Sequence, residues 1–132
     1  MRYILVVLCV VLSFGLLGCV KQKSDSAIPI KYRQINVQEA KEIMDSTDDY
    51  VLLDVRTVQE YDEGHIAGAV LIPYDEIPQK ADVVLPQKDR LILIYCRSGR
   101  RSKIAAQSLV DMGYTNIVEF GGINDWPYEI VS

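Results

Sequence analysis

The sequence is poor in the side chains that most often bind metals. It has three cysteines (Cys9, Cys19 and Cys96) and one histidine, His65, among 132 residues. No grouping of these with acidic residues has metal-ligand spacing, so neither a metal nor another cofactor is expected. A glycine-rich nucleotide loop is missing, and so are internal repeats and low-complexity tracts. Positive charge is in deficit, with 14 Lys and Arg against 18 Asp and Glu and a net charge of −4. That balance gives no support for nucleic acid or anionic lipid headgroups as partners. The length allows one domain and no second core of useful size.

The apolar stretch Ile4 to Leu17 falls short of the ~20 residues of a membrane-spanning helix. It follows one positive charge, Arg2, and closes on Leu16-Leu17-Gly18-Cys19. This charged start, apolar middle and small-residue end describe a secretory signal. Leu-Leu-Gly-Cys resembles the lipobox of bacterial lipoproteins, which implies a signal over residues 1–18 and lipid on Cys19 as the new N-terminus. Acyl chains would hold the protein to the extracytoplasmic face of the cell membrane, each buried methylene contributing ~0.8 kcal/mol. The polar stretch Lys21 to Pro29 reads as a tether, giving a lipidated segment over 19–30 and a domain over 31–132. Loss of Arg2 leaves 13 basic residues against 18 acidic, a mature charge of −5. Cys96 is then the one thiol neither removed nor acylated, and no internal disulfide can form.

Along that domain, Asn36-Val37-Gln38-Glu39 has capping-box spacing and predicts a helix to about Ser46. Tyr50 to Val55 is a continuous apolar run that suits a strand buried on both faces. Glu60 to Gly64 suggests one helical turn and Ala69 to Ile72 a short strand, while Asp75 to Val84 suggests a helix interrupted at Pro78. Arg90 to Tyr95 predicts a strand that leads into Cys96, and Ser102 to Met112 a helix that Gly113 ends. Asn116 to Phe120 predicts a further strand. Strands alternating with helices indicate an α/β fold with a mainly parallel central sheet flanked by helices on both sides.

The stretch Tyr95-Cys96-Arg97-Ser98-Gly99-Arg100-Arg101-Ser102 concentrates the chemistry. A strand, a tight loop and a helix start present backbone N–H groups and a helix dipole to an anion. Such surroundings favour the thiolate of Cys96, Gly99 permits the angles of a closed ring of amides, and Arg97, Arg100 and Arg101 supply forked donors to oxyanions. A purely structural origin is opposed by the dipole, which disfavours positive charge at a helix N-terminus. The anion could be a phosphate or a sulfur oxyanion.

From about Tyr32 to Val131 the chain resembles a single rhodanese domain. The resemblance rests on Asp54-Val55-Arg56, Glu60-Tyr61, Gly64 to Ala69 and Ile72-Pro73, on the loop Cys96 to Ser102, and on Gly121-Gly122-Ile123-Asn124-Asp125-Trp126, all in order. It implies the rhodanese-like fold and a sulfurtransferase in which Cys96 takes sulfane sulfur from a thiosulfate-like donor as a persulfide. The acceptor would be a thiol or cyanide, with a protein acceptor as a further partner. Loop groups from Arg97 through Ser98, Gly99, Arg100 and Arg101 to Ser102 would bind the terminal sulfur and the departing sulfite. Phosphatases with a similar cradle use Cys-x5-Arg, whose arginine would fall at residue 102, which is Ser102; Arg101 comes one residue early. The shorter loop favours sulfur. Alternatives kept open are a persulfide carrier that docks on a partner and turns over little, and a phosphatase, which the loop count disfavours.

Asp54 ends a strand at the same edge as the loop, with Arg56 close behind. The functional reading has Asp54 accepting loop hydrogen bonds with Arg56 near the pocket, and the structural one makes them an ion pair. His65 is read as structural, since a thiolate held by amides and arginines needs no base, and Trp126 as core packing.

Overall fold

A computed structural model describes residues 32–132. The expected signal over 1–18, the tether over 19–30 and Cys9 and Cys19 lie outside the described residues. Within them no helix is long and apolar enough to cross a membrane.

The chain forms β1 (Arg33–Gln34), α1 (Val37–Ser46), β2 (Val51–Asp54), α2 (Val58–Glu63), β3 (His65–Ile66), β4 (Val70–Leu71), α3 (Ile77–Val84), β5 (Ile92–Cys96), α4 (Arg100–Asp111), β6 (Ile117–Gly122) and β7 (Ile130–Val131). Five strands build a sheet in the order β1-β6-β5-β2-β4, and every pairing in it is parallel. β3 and β7 pair antiparallel as a separate two-stranded sheet.

Helix α1 starts as its sequence predicts. The Asn36 side chain accepts from the Glu39 amide and Glu39 accepts from the Asn36 amide, at 2.8 and 2.9 Å. The region around Glu60 is a fuller helix than one turn, because Thr57 and Glu60 form a second capping box ahead of α2. Pro78 does not interrupt its helix. It lies in the first turn of α3, where the amide it lacks has no intrahelical partner to lose, and a short 3-10 turn over Tyr74–Glu76 precedes it.

Because β5 is central and buried on both faces, its alternate side chains feed two cores. Ile92, Ile94 and Cys96 join Ala81 of α3 and Ala105, Ala106 and Leu109 of α4 in one cluster. Leu93 and Tyr95 join Val37 and Ala40 of α1, Val118, Phe120 and Trp126 in the other. Helices therefore cover both faces of the sheet, and Trp126 is part of the core. At a parallel sheet's carboxyl edge the strands run out into helix N-termini, so the end of β5 is the natural binding position. Cys96 stands there.

Candidate active site around Cys96

Cys96 is 1% exposed and closes β5. Arg97, Ser98 and Gly99 turn the chain into α4, with Gly99 as the helix N-cap at φ 110°. That left-handed conformation suits glycine, and it brings the Gly99 amide to 3.0 Å from Cys96 Sγ. Ser102, one turn into α4 and fully buried, places its Oγ 3.4 Å from the same sulfur. Burial pushes the Cys96 thiol up. The hydroxyl and amide of Ser102 and the amides of Gly99 and Ser98 outweigh it and hold the pKa below the ordinary thiol value. The Gly99 amide is the donor that meets the sulfur directly.

The neighbouring strand braces this loop. Between Ile94 and Cys96 the pairing of β5 with β6 shifts by one residue, so that Cys96 pairs with Gly122. The extra residue on β6 is a bulge, and Gly121 takes φ 92° beside it. Gly122 lies so close to the loop that a Cβ there would sit 2.0 Å from the Arg97 carbonyl oxygen. The Asn124 amide donates to that same oxygen at 3.1 Å. Gly121, Gly122 and Asn124 belong to the segment that the resemblance singles out, and in the fold they set the loop's position.

The three arginines separate. Arg101 is bound through both terminal nitrogens to the Glu60 carboxylate at 2.6 and 2.9 Å. Arg101 and its neighbours pull Glu60 down to about 2, and Glu60 in turn raises Arg101. Arg100 is exposed. Arg97 is exposed too and borders an open cleft of about 410 Å³, with Arg56, Asn124 and the acids Glu60 and Glu63 as further walls. Of the three loop arginines, Arg97 is the one on the cleft.

Asp54 and Arg56 form a buried pair, 0% and 5% exposed. Asp54 accepts from the Arg56 backbone amide at 2.9 Å and from its guanidinium at 2.7 Å, and Arg56 also donates to the Gly64 carbonyl. The partners of the Asp54 side chain are thus Arg56 and the nearby Tyr95 hydroxyl, and not the Cys96 loop. Arg56 lines the cleft. His65 stacks on Tyr61 with ring centroids 3.7 Å apart and holds the Tyr61 carbonyl through Nδ1, a packing role. Among the described residues no three His, Cys, Asp or Glu side chains converge to hold a metal ion.

Glu119 is a residue that sequence reasoning passed over. It is 2% exposed on β6, with Oε1 2.6 Å from Ser102 Oγ and 2.8 Å from the Gly121 amide. Its signal was a carboxylate inside the otherwise apolar Ile117-Val118-Glu119-Phe120. A charged residue at a buried strand position has to find a partner.

Comparison with known proteins agrees with this geometry. The family model described as the rhodanese-like domain matches residues 36–128. The chain is 36% identical over 73 residues to the thiosulfate sulfurtransferase PspE of Escherichia coli, covering 55% of this chain and 70% of that protein. It is 35% identical over 102 residues to the putative sulfur carrier protein YrkF of Bacillus subtilis, covering 76% of this chain and about half, 52%, of that longer protein. Among solved structures, a rhodanese-related protein from Thermoplasma volcanium superposes with a TM-score of 0.66 at 32% identity, over 76% of this chain and 98% of its own. A parallel sheet ending in a cysteine that meets a backbone amide at a helix start, and a family model that spans that entire arrangement, together place this chain in the rhodanese-like domain family.

Proposed function

We propose that the protein is a sulfurtransferase that carries sulfane sulfur on Cys96 as a persulfide. The observation that supports this most is the Cys96 sulfur itself, which accepts from the Gly99 amide and whose pKa the loop and helix-start amides hold below the ordinary thiol value, one residue from Arg97 on the cleft wall. The thiolate attacks the outer sulfur of a thiosulfate-like donor. A new Cys96 S–S bond forms, the donor's own S–S bond breaks, and sulfite leaves with the electron pair. A thiol or cyanide then attacks the terminal sulfur and the pair returns to Cys96. One difficult transfer is thereby divided into two easier ones. Arg97 on the cleft wall attracts the anionic donor, and the backbone amides of Ser98, Gly99 and Ser102 hold the charge on sulfur. Arg101, neutralised by Glu60, secures the loop.

The test is intact mass of the full chain. Thiosulfate should add one sulfur, cyanide should remove it, and Cys96→Ser should abolish both. Transfer that survives this substitution overturns the reading. Aryl phosphates should be hydrolysed negligibly, since Arg101 comes one residue early for a phosphatase loop; efficient hydrolysis dependent on Cys96 would point to a phosphatase.

A second reading is a persulfide carrier that delivers sulfur to a partner protein, favoured by the similarity to the putative sulfur carrier protein. Loading without steady-state turnover on small thiols or cyanide would select it. The site is proposed to act at the extracytoplasmic face of the cell membrane, held by lipid on Cys19 behind the segment Leu16-Leu17-Gly18. Metabolic labelling with a fatty-acid analogue should depend on Cys19, and labelling retained in Cys19→Ala would reject this anchor.

A further inference from the structure

Ser102 has one hydroxyl proton, three oxygen acceptors around it and the Cys96 sulfur on its remaining side. Glu119 Oε1 lies at 2.6 Å, the Gly99 carbonyl at 2.9 Å, the Gly121 carbonyl at 3.3 Å and Cys96 Sγ at 3.4 Å. An ionised carboxylate at the shortest of these distances takes that proton, because a charged acceptor makes the stronger and shorter bond. Ser102 then turns a lone pair toward Cys96, and the sulfur must be the donor, as a thiol. For Ser102 to donate to a Cys96 thiolate and still keep a hydrogen bond to Glu119, its own proton must pass to Glu119 as it takes the thiol's.

We infer that Glu119 receives the Cys96 proton through Ser102, so that a buried Cys96–Ser102–Glu119 chain controls when the thiolate forms. The S–H bond of Cys96 and the O–H bond of Ser102 break as new O–H bonds form on Ser102 and Glu119. The single negative charge moves from the carboxylate to the sulfur, and no other reactant is consumed. With both ends of the chain buried, at 1% and 2% exposure, the proton has a path that needs no bulk water. Glu119 touches no reacting atom and acts as a positioning residue for that proton.

One cation, Arg101, acts on the sulfur end of the chain from α4, and Glu60 neutralises it. From α4 the structure sets Ser102 against Glu119, and from the end of β5 it sets Cys96 behind Ser102. The Gly121 amide donates from β6 itself, while the register partners of Glu119 on β1 and β5 are the uncharged Gln34 and Ile94. Among the described residues no Lys, Arg or His forms an ion pair with Glu119.

The role in sulfur loading rests on the sulfurtransferase reading; the proton chain itself can be tested without a sulfur donor. Glu119→Gln keeps an acceptor for Ser102 and Gly121 but cannot take a proton. In the full chain it should move the pH midpoint of Cys96 alkylation upward, followed by peptide mass. It should also slow thiosulfate loading about 10²-fold near neutral pH, and recover in alkali, where hydroxide removes the proton directly. The double variant with Ser102→Ala should be no slower than the slower single variant, because both remove the same chain. An alkylation profile that overlays the wild type, a loss that does not change with pH, or additive losses would overturn the inference.

Wild-type protein supplies a readout that needs no variant. Infrared spectra should show a protonated carboxylic acid persisting at pH values where Cys96 is already thiolate, and alkylation of Cys96 should remove it. Its absence overturns the chain. If alkylation and infrared behave as expected while thiosulfate does not load the wild type, the proton chain stands and the sulfurtransferase reading falls.

Discussion

Glu60 holds Arg101 by both terminal nitrogens, at 2.6 and 2.9 Å, and thereby ties α2 to the first turn of α4. Arg101 is one residue from Ser102, so the pair anchors the helix start on which the Cys96 loop depends. A fork-to-carboxylate pair of this kind has defined geometry as well as charge, and lysine cannot reproduce it.

The pair makes stability depend on acid in a stated direction. Arg101 draws Glu60 down to about 2 from an ordinary 4.5. A folded-state pKa below the unfolded one stabilises fully above the unfolded value, and the contribution is lost as pH falls from about 4.5 toward 2. Glu60→Gln should remove this segment of the pH profile and cost about 1–2 kcal/mol at neutral pH. Urea unfolding at a series of pH values measures both effects.

Asp54 and Arg56 should be far less tolerant. Asp54→Ala leaves a guanidinium at 5% exposure with its carboxylate gone, and breaking such a buried pair costs about 3–5 kcal/mol. The unfolding midpoint should fall accordingly, and the Gly64 end of the cleft, held by the same guanidinium, should loosen with it.

Adjacent glycines should respond differently to alanine. At Gly122 a Cβ meets the Arg97 carbonyl oxygen at 2.0 Å and its carbon at 2.4 Å, so the loop or the strand must shift. We expect a loss of about 3 kcal/mol and a marked fall in Cys96 alkylation rate. At Gly121 nothing lies within 4 Å of the added atom, and only the φ of 92° resists it. Gly121→Ala should cost ~1–2 kcal/mol and leave alkylation largely unchanged.

Arg97 and Arg100 should also separate. Arg97→Ala removes the loop arginine that borders the cleft. The KM for thiosulfate should rise about tenfold or more with kcat changed less, the loss expected for one charge-assisted contact. Arg100→Ala, at an exposed position away from the cleft wall, should change KM by less than about twofold. Steady-state kinetics of the two variants side by side decide this.

Local chemistry made much of this fold legible. Asn36 and Glu39 are neighbours in sequence, and the helix they cap begins and ends where their spacing predicts. The apolar run into Cys96 could be read as a buried strand because it carries no alternation to mistake. The features that escaped are those created by distant segments meeting. The two-residue strands β3 and β7 exist only as each other's partner, joining His65 and Ile66 to Val131 and Ile130. The engagement of Arg101 by Glu60 spans 41 residues, and that of Ser102 by Glu119 spans 17. Asp54 finds a partner two residues away, so the ion-pair reading was available from sequence, but its closeness to the Tyr95 hydroxyl on the neighbouring strand was not. Pro78 was misjudged because its meaning depends on where the helix starts, which the preceding 3-10 turn sets.

The division of β5 between two cores has a consequence for how the Cys96 thiol could be moved. Ile92, Ile94 and Cys96 face α3 and α4, while Leu93 and Tyr95 face α1. Cys96 reaches the N-terminus of α4 because it is an even number of residues from Ile92. Removing one residue from this strand would shorten it by only ~3.3 Å, yet it would rotate the thiol to the opposite side of the sheet, among Val37, Ala40 and Phe120. Chain length here acts as a two-position selector: an insertion or deletion of one residue should silence the thiol, whereas a change of two residues should preserve its face and alter only its depth.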